Sequence, residues 1–199
     1  MKTVIMVMLS VIMFTACSSN NTPKTQYYLL NSPTLAVGTS KNEITKNEPQ
    51  STISVALLEL PEYLAQPSLV LQLSDHQLHY SHFHIWAEPL KLGLAQALSH
   101  DLNSNDSEVN FIVNTELRAD LKADIIIKIS AFQATHQAQV ILTGSYTINR
   151  EKASPQSDII NNFNLVVDLK ENGYPHAVKK MRQVTLLLAK DISANIAKS

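Results

Sequence analysis

The chain has 199 residues, 45% of them hydrophobic, with 16 Lys and Arg against 17 Asp and Glu and a formal charge of −1. That length suits one domain with a real core, and the near-neutral balance excludes the basic stripe that nucleic acid requires. Four scattered glycines (Gly38, Gly93, Gly144, Gly173) exclude a phosphate-cradling loop, and a single cysteine excludes a disulfide framework or a cysteine-based zinc site.

Residues 1–16 carry Lys2, a short apolar run and then Thr15 and Ala16 before Cys17. The run is about a dozen residues, short of the ~20 that a spanning helix needs, and it has the layout of a secretory signal. Cys17 has no cysteine partner, and a cysteine directly after small residues resembles the lipidation site of a bacterial lipoprotein. There, a thioether-linked diacylglycerol and an acylated amino terminus together form a stable anchor. Phe14 stands where such signals usually carry an aliphatic residue, which leaves an ordinary signal peptide or a bare membrane anchor as the other readings. Ser18 follows the cysteine in place of the aspartate that tends to retain enteric lipoproteins at the inner membrane. By that resemblance the anchor belongs in the outer membrane. Cleavage after residue 16 leaves 15 basic against 17 acidic residues.

Residues 17–26 read as the lipidated cysteine and a polar, flexible tether, and 27–199 as a single α+β domain. Tyr27 to Leu30 predicts a first strand. Residues 31–52 turn polar and predict a long loop. Ile53 to Leu57 alternates as a strand and leads into Leu60-Pro61-Glu62-Tyr63-Leu64, where the proline ends it. Leu69–Leu73 and Gln77–His84 predict a hairpin across Ser74-Asp75-His76. From Glu88 to Leu102 the spacing becomes helical, with Leu90, Leu94, Leu98 and Leu102 on one face beside Ala95 and with Pro89 in the first turn. Asn103–Glu108 reads as a polar turn and Val109–Val113 as a strand. Ala123–Ala134 and Gln139–Asn149 predict a central antiparallel hairpin, and Ile159–Leu169 one more strand. Pro175–Ala197 predicts a long amphipathic helix with Val178, Met181, Thr185, Leu188, Ile192 and Ile196 inward. The whole predicts a mainly antiparallel sheet with two amphipathic helices packed on one face.

Candidate chemistry is sparse. His82 and His84 fall on one face of a regular strand, with His79 opposite and His76 in the turn, but a metal needs a third ligand and no carboxylate is placed to supply it. Ser81 has histidine neighbours but no glycine-flanked elbow, so it does not read as a nucleophile. Glu59 and Glu62 bracket a turn and read as solvated. Lys179, Lys180, Arg182 and Lys190 give the last helix a basic face, available to anionic lipid or an acidic partner, or simply to water.

Four local features taken together resemble one family. They are Tyr27-Tyr28-Leu29-Leu30 soon after the cysteine, Leu60-Pro61-Glu62-Tyr63-Leu64 after a strand, a hairpin running to Ile85-Trp86-Ala87-Glu88-Pro89-Leu90, and a closing leucine- and alanine-rich helix. The combination is similar to the PqiC-like family of ABC-type transport auxiliary lipoproteins, over nearly the whole mature chain. The resemblance implies a non-enzymatic outer-membrane lipoprotein on the periplasmic face, without a cofactor. It further implies docking of a periplasm-spanning MCE-domain (PqiB-like) protein in intermembrane lipid transport, support of envelope integrity, and a ring-like homo-oligomer. Tyr63, Leu64 and Trp86 are large side chains at element ends, suited to contact with a partner or lipid, or alternatively to stapling the helix to the sheet. Two other classes remain: an assembly lipoprotein of a secretion, pilus or lipopolysaccharide-export complex, and a lipid-anchored hydrolase using the histidine strand.

Overall fold

The computed structural model describes residues 23–31, 51–105, 109–114, 124–149 and 159–197. In chain order the elements are β1 (Gln26–Tyr28), β2 (Ser51–Glu59), a 3-10 turn (Glu62–Leu64), β3 (Ser68–Ser74), β4 (Gln77–Trp86) and α1 (Leu90–Asn105). They continue with β5 (Val109–Asn114), β6 (Ile125–Thr135), β7 (Gln139–Ile148), β8 (Ile159–Asp168) and α2 (Tyr174–Ile196). The predicted signal segment and Cys17 lie outside the described residues. So does most of the 31–52 loop, of which Ser51 and Thr52 already belong to β2.

The α+β class holds. β6 and β7 form the expected antiparallel hairpin, and β8 continues it, with ten aligned residue pairs in each ladder. Alternation puts Ile125, Ile127 and Ile129 of β6 and Val140, Leu142, Tyr146 and Ile148 of β7 on one face, and all seven are buried. β-branched and aromatic residues at period two are what a half-buried pleated strand selects. The other edge of β6 is divided. Its first half pairs with β2 in parallel, its last residues pair with β3 in parallel, and the β6–β7 register slips between Ile129 and Ala131. β2 continues in parallel to β5, and β3 pairs antiparallel with β4, which pairs in parallel with β1. The sheet is therefore mixed, its antiparallel character concentrated in the long ladders. Parallel neighbours are brought together by distant chain segments and have no local turn signal, which is why sequence reading missed them.

α1 and α2 pack against each other. α1 also lies on β5, and α2 on β6, β7 and β8. Leu90, Leu94, Leu98 and Leu102 are all buried, as are Val178, Met181, Thr185, Leu188 and Ile192, while Ile196 is partly buried. Pro89 stands one position before α1 rather than in its first turn. Its carbonyl accepts from Leu92 N–H at 2.9 Å and Gly93 N–H at 3.1 Å, so a residue without an N–H donor serves as the helix start. Asn103, expected in a turn, is still helical. Its amide grips Phe111 of β5 twice, donating to the Phe111 carbonyl at 2.9 Å and accepting from the Phe111 N–H at 2.8 Å. β1 is shorter than expected: it begins at Gln26, and Leu29 and Leu30 lie beyond it.

Candidate functional site

Two of the three predicted contact residues are core residues. Leu64 is 2% exposed and Trp86 6%, so neither offers surface to a partner. The chain between β2 and β3 folds back to reach them. Trp86 N–H donates to the Pro67 carbonyl at 2.7 Å, and Tyr63 hydroxyl donates to Gln133 Oε1 on β6 at 2.8 Å. Gln133 is itself buried. It also accepts from Phe132 N–H and donates from Nε2 to Gln72 Oε1 at 3.3 Å. Burial pushes the Tyr63 phenol upward, and its hydrogen bond to Gln133 opposes the shift. These bonds tie the 60–67 segment to β4 and β6.

The histidine strand is likewise rearranged. Between Tyr80 and Ile85, β4 advances five residues while β3 steps from Val70 to Ser68. Extra residues on one strand break the alternation locally. Ser81 is buried, and its Oγ accepts from the His84 backbone N–H at 3.1 Å, which braces the bulge. His82 stays exposed beside the Phe83 ring, whereas His84 turns onto Tyr174 with ring centroids 3.7 Å apart, nearly parallel. Tyr28 hydroxyl lies 2.7 Å from Gln26 Oε1 and 2.8 Å from His84 Nδ1. With the phenol proton donated to Gln26, His84 is the tautomer protonated at Nδ1 and donates to the phenol oxygen. Burial, then the neighbouring Tyr174 phenol, raises the Tyr28 pKa. His82 and His84 thus have different surroundings. Among the described residues no three His, Cys, Asp or Glu side chains are grouped to hold a metal ion.

Tyr174 also walls a cleft of about 350 Å³ where the ends of β3 and β6 meet the start of α2. Leu71, Leu73, Ala134 and Leu169 make most of that wall apolar, and Thr135 Oγ1 is buried there without a hydrogen-bond partner among the described residues. The volume falls in the range of small-ligand sites, whose linings are mainly apolar with a few polar groups.

Two of the charged candidates, Glu59 and Arg182, form ion pairs. Glu59 meets Lys128 at 2.8 Å on the surface. Arg182 is not part of a free basic face: both its terminal nitrogens lie 2.5 Å from the carboxylate of buried Asp101, tying α2 to α1 as a planar fork. Sequence reading missed Asp101, whose one local signal is its place three residues after Leu98, beside the apolar stripe. A second tie, Tyr146 hydroxyl donating to Asp191 Oδ2 at 2.9 Å and accepting from Asn195 Nδ2 at 2.6 Å, fastens α2 to β7. Burial, then the bond to Asp191, holds the Tyr146 phenol up at about 12. Among the described residues no helix is long and apolar enough to cross a membrane.

The chain is similar to known proteins over nearly all of its length. It is 23% identical over 192 residues to the intermembrane transport lipoprotein PqiC of Escherichia coli (strain K12), covering 96% of each chain, and equally to PqiC of Shigella flexneri. Its fold matches a crystal structure described as an uncharacterized protein, with a TM-score of 0.67 at 22% identity over 87% of this chain and 99% of that one. A Xanthomonas campestris protein superposes with a TM-score of 0.55 at 12% identity, over 73% of this chain and 84% of its own. The family model for the ABC-type transport auxiliary lipoprotein component matches residues 28–193, from the end of β1 to the last turn of α2, and the chain belongs to that family.

Proposed function

We propose that this protein is the lipid-anchored auxiliary subunit of a Pqi-like intermembrane lipid transport system. In this reading Cys17 carries the anchor in the outer membrane, the domain faces the periplasm, and it docks the far end of a periplasm-spanning MCE-domain protein while assembled with other copies of itself. The observation that carries the proposal is the end-to-end sequence correspondence with the PqiC lipoproteins, which spans 96% of both chains. The site geometry is in keeping with a docking role. Ser81 and Arg182, two of the polar side chains weighed for chemistry, are engaged in structural bonds, on the β4 bulge and on Asp101, and the apolar cleft suits an aliphatic side chain or lipid tail.

The test is crosslinking of the tagged, membrane-extracted protein followed by mass spectrometry of what copurifies. An MCE-domain protein among the strong hits is the expected result. Recovery of secretion, pilus or lipopolysaccharide-export components alone overturns the transport reading and favours an assembly lipoprotein of another envelope complex.

A further inference from the structure

We infer that the β1–β4 edge of the sheet lies against the lipid headgroups of the membrane that holds the chain, with Tyr27, Tyr80 and Phe83 as its interfacial contacts. The inference rests on the reading of Cys17 as the lipidated residue and adds an orientation to it.

Three observations converge on this edge. Among the described residues the large aromatic side chains left exposed are Tyr27 at 68%, Phe83 at 42% and Tyr80 at 39%, and all three lie on β1 or β4. The exposed large side chains elsewhere, such as Ile112, Ile160, Val166 and Leu187, are aliphatic and scattered over other elements. Tyr27 aligns with Ile85, two residues from Phe83, and the β4 bulge leaves His82 and Phe83 exposed one after the other. At about 3.3 Å per residue, Phe83 and Tyr80 lie within some 17 Å of Ile85 along the strand. Aromatic rings with a polar tip or edge partition to the headgroup level of a bilayer, where an apolar body and a wet end are both satisfied.

Charge agrees. Neither β1 nor β4 contains an aspartate or glutamate, and Lys24 stands exposed just before β1. An edge without carboxylates meets anionic headgroups without repulsion. Reach decides the occupant. Gln26 follows Cys17 by nine residues in the sequence, and fully extended chain covers at most ~3.6 Å per residue, so β1 begins within about 32 Å of the anchoring sulfur. The edge that holds the exposed aromatics is thus the one to which the anchor is joined. A partner protein has no such covalent link to this edge.

The experiment uses the full chain purified from membranes. Mass spectrometry of the amino-terminal peptide first reads whether Cys17 carries lipid. Tyr27→Cys, Phe83→Cys and, on the distant β8 edge, Ile160→Cys are then labelled with an environment-sensitive fluorophore. The labelled proteins are reconstituted into phosphatidylethanolamine–phosphatidylglycerol vesicles containing headgroup nitroxide lipid. We expect blue-shifted emission and nitroxide quenching at positions 27 and 83 and neither at 160. On the unsubstituted chain, vesicles are expected to slow hydrogen exchange of the β1 amides. A lipidated chain with no quenching at 27 and 83, or with equal quenching at 160, overturns the inference while leaving the anchor standing. Shielding of 27 and 83 from aqueous iodide without nitroxide quenching overturns it in favour of a protein covering. A Cys17 peptide without lipid overturns the anchor reading and the inference with it.

Discussion

The β6–β7–β8 region and the β1–β4 edge are built from equally strand-prone residues but differ in how completely they are packed. In the first, two ladders of ten aligned pairs run under α2, and inward positions such as Ile127, Leu142 and Phe163 are all buried. In the second, β1 contributes three residues, the β3–β4 register slips, and Tyr27, Tyr80 and Phe83 remain in solvent. The difference teaches that strand propensity does not decide which surface holds the fold. A helix laid across one face does, because it turns alternation into burial, and the uncovered edge is left for contact with something else.

The comparison breaks most severely where the packed region is hollowed. Leu142→Ala removes a fully buried side chain from β7 beneath α2, and we expect a loss of about 2–5 kcal/mol, read as a lowered urea midpoint at unchanged slope. Gly144→Ala strikes the β6–β7 slip, where an added Cβ would stand 2.1 Å from the Lys128 carbonyl oxygen and 2.9 Å from Phe163 Cζ. With backbone on one side, the strand must shift, and a cost of about 1–3 kcal/mol is expected in the same measurement.

A smaller change sharpens the picture of how α2 is held. Tyr146→Phe deletes the hydroxyl shared by Asp191 and Asn195, for an expected loss of about 1 kcal/mol. Its pH signature is more specific. The Tyr146 phenol sits at about 12 in the folded chain against an ordinary value of 10.0, so the unfolded chain releases that proton first as pH rises. Its contribution is complete below about pH 10 and is lost as pH climbs through about 12. Denaturation midpoints measured across that window should fall less steeply in Tyr146→Phe than in the parent; parallel curves would show that the phenol titrates normally.

The smallest stability effect is expected at the open edge. Tyr27→Ser combined with Phe83→Ser should change stability little on thermal denaturation, within about 0.5 kcal/mol, since both side chains are exposed. A large loss there would mean that the edge holds the fold after all, and the contrast between the regions would collapse.

Those five positions also mark how far sequence reading goes. The β6–β7 hairpin was legible because Ile125, Ile127 and Ile129 alternate on one strand and Val140, Leu142 and Gly144 on the next across a short turn, and both period and turn are local. α1 was legible because four leucines recur every fourth residue. The parallel pairings of β2 with β5 and β6 were not, since the partners are joined by no turn. Leu64 and Trp86 were read as contact residues because large apolar side chains stood at element ends; the folded chain places both in the hydrophobic core. His82 and His84 parted because a bulge, invisible in a pattern of types, broke the period between them.

What the sequence determined by itself was therefore the set of elements, the inward face of each long one, and a family resemblance that the family match bears out. Periodicity and capping act over a few residues, so they are written locally. The tertiary structure alone decided the order of the strands, the Asp101–Arg182 and Tyr146–Asp191 ties, and which aromatics are left in solvent. Each depends on segments far apart in the chain meeting in space. Burial and pairing energies there belong to the pair and not to either residue.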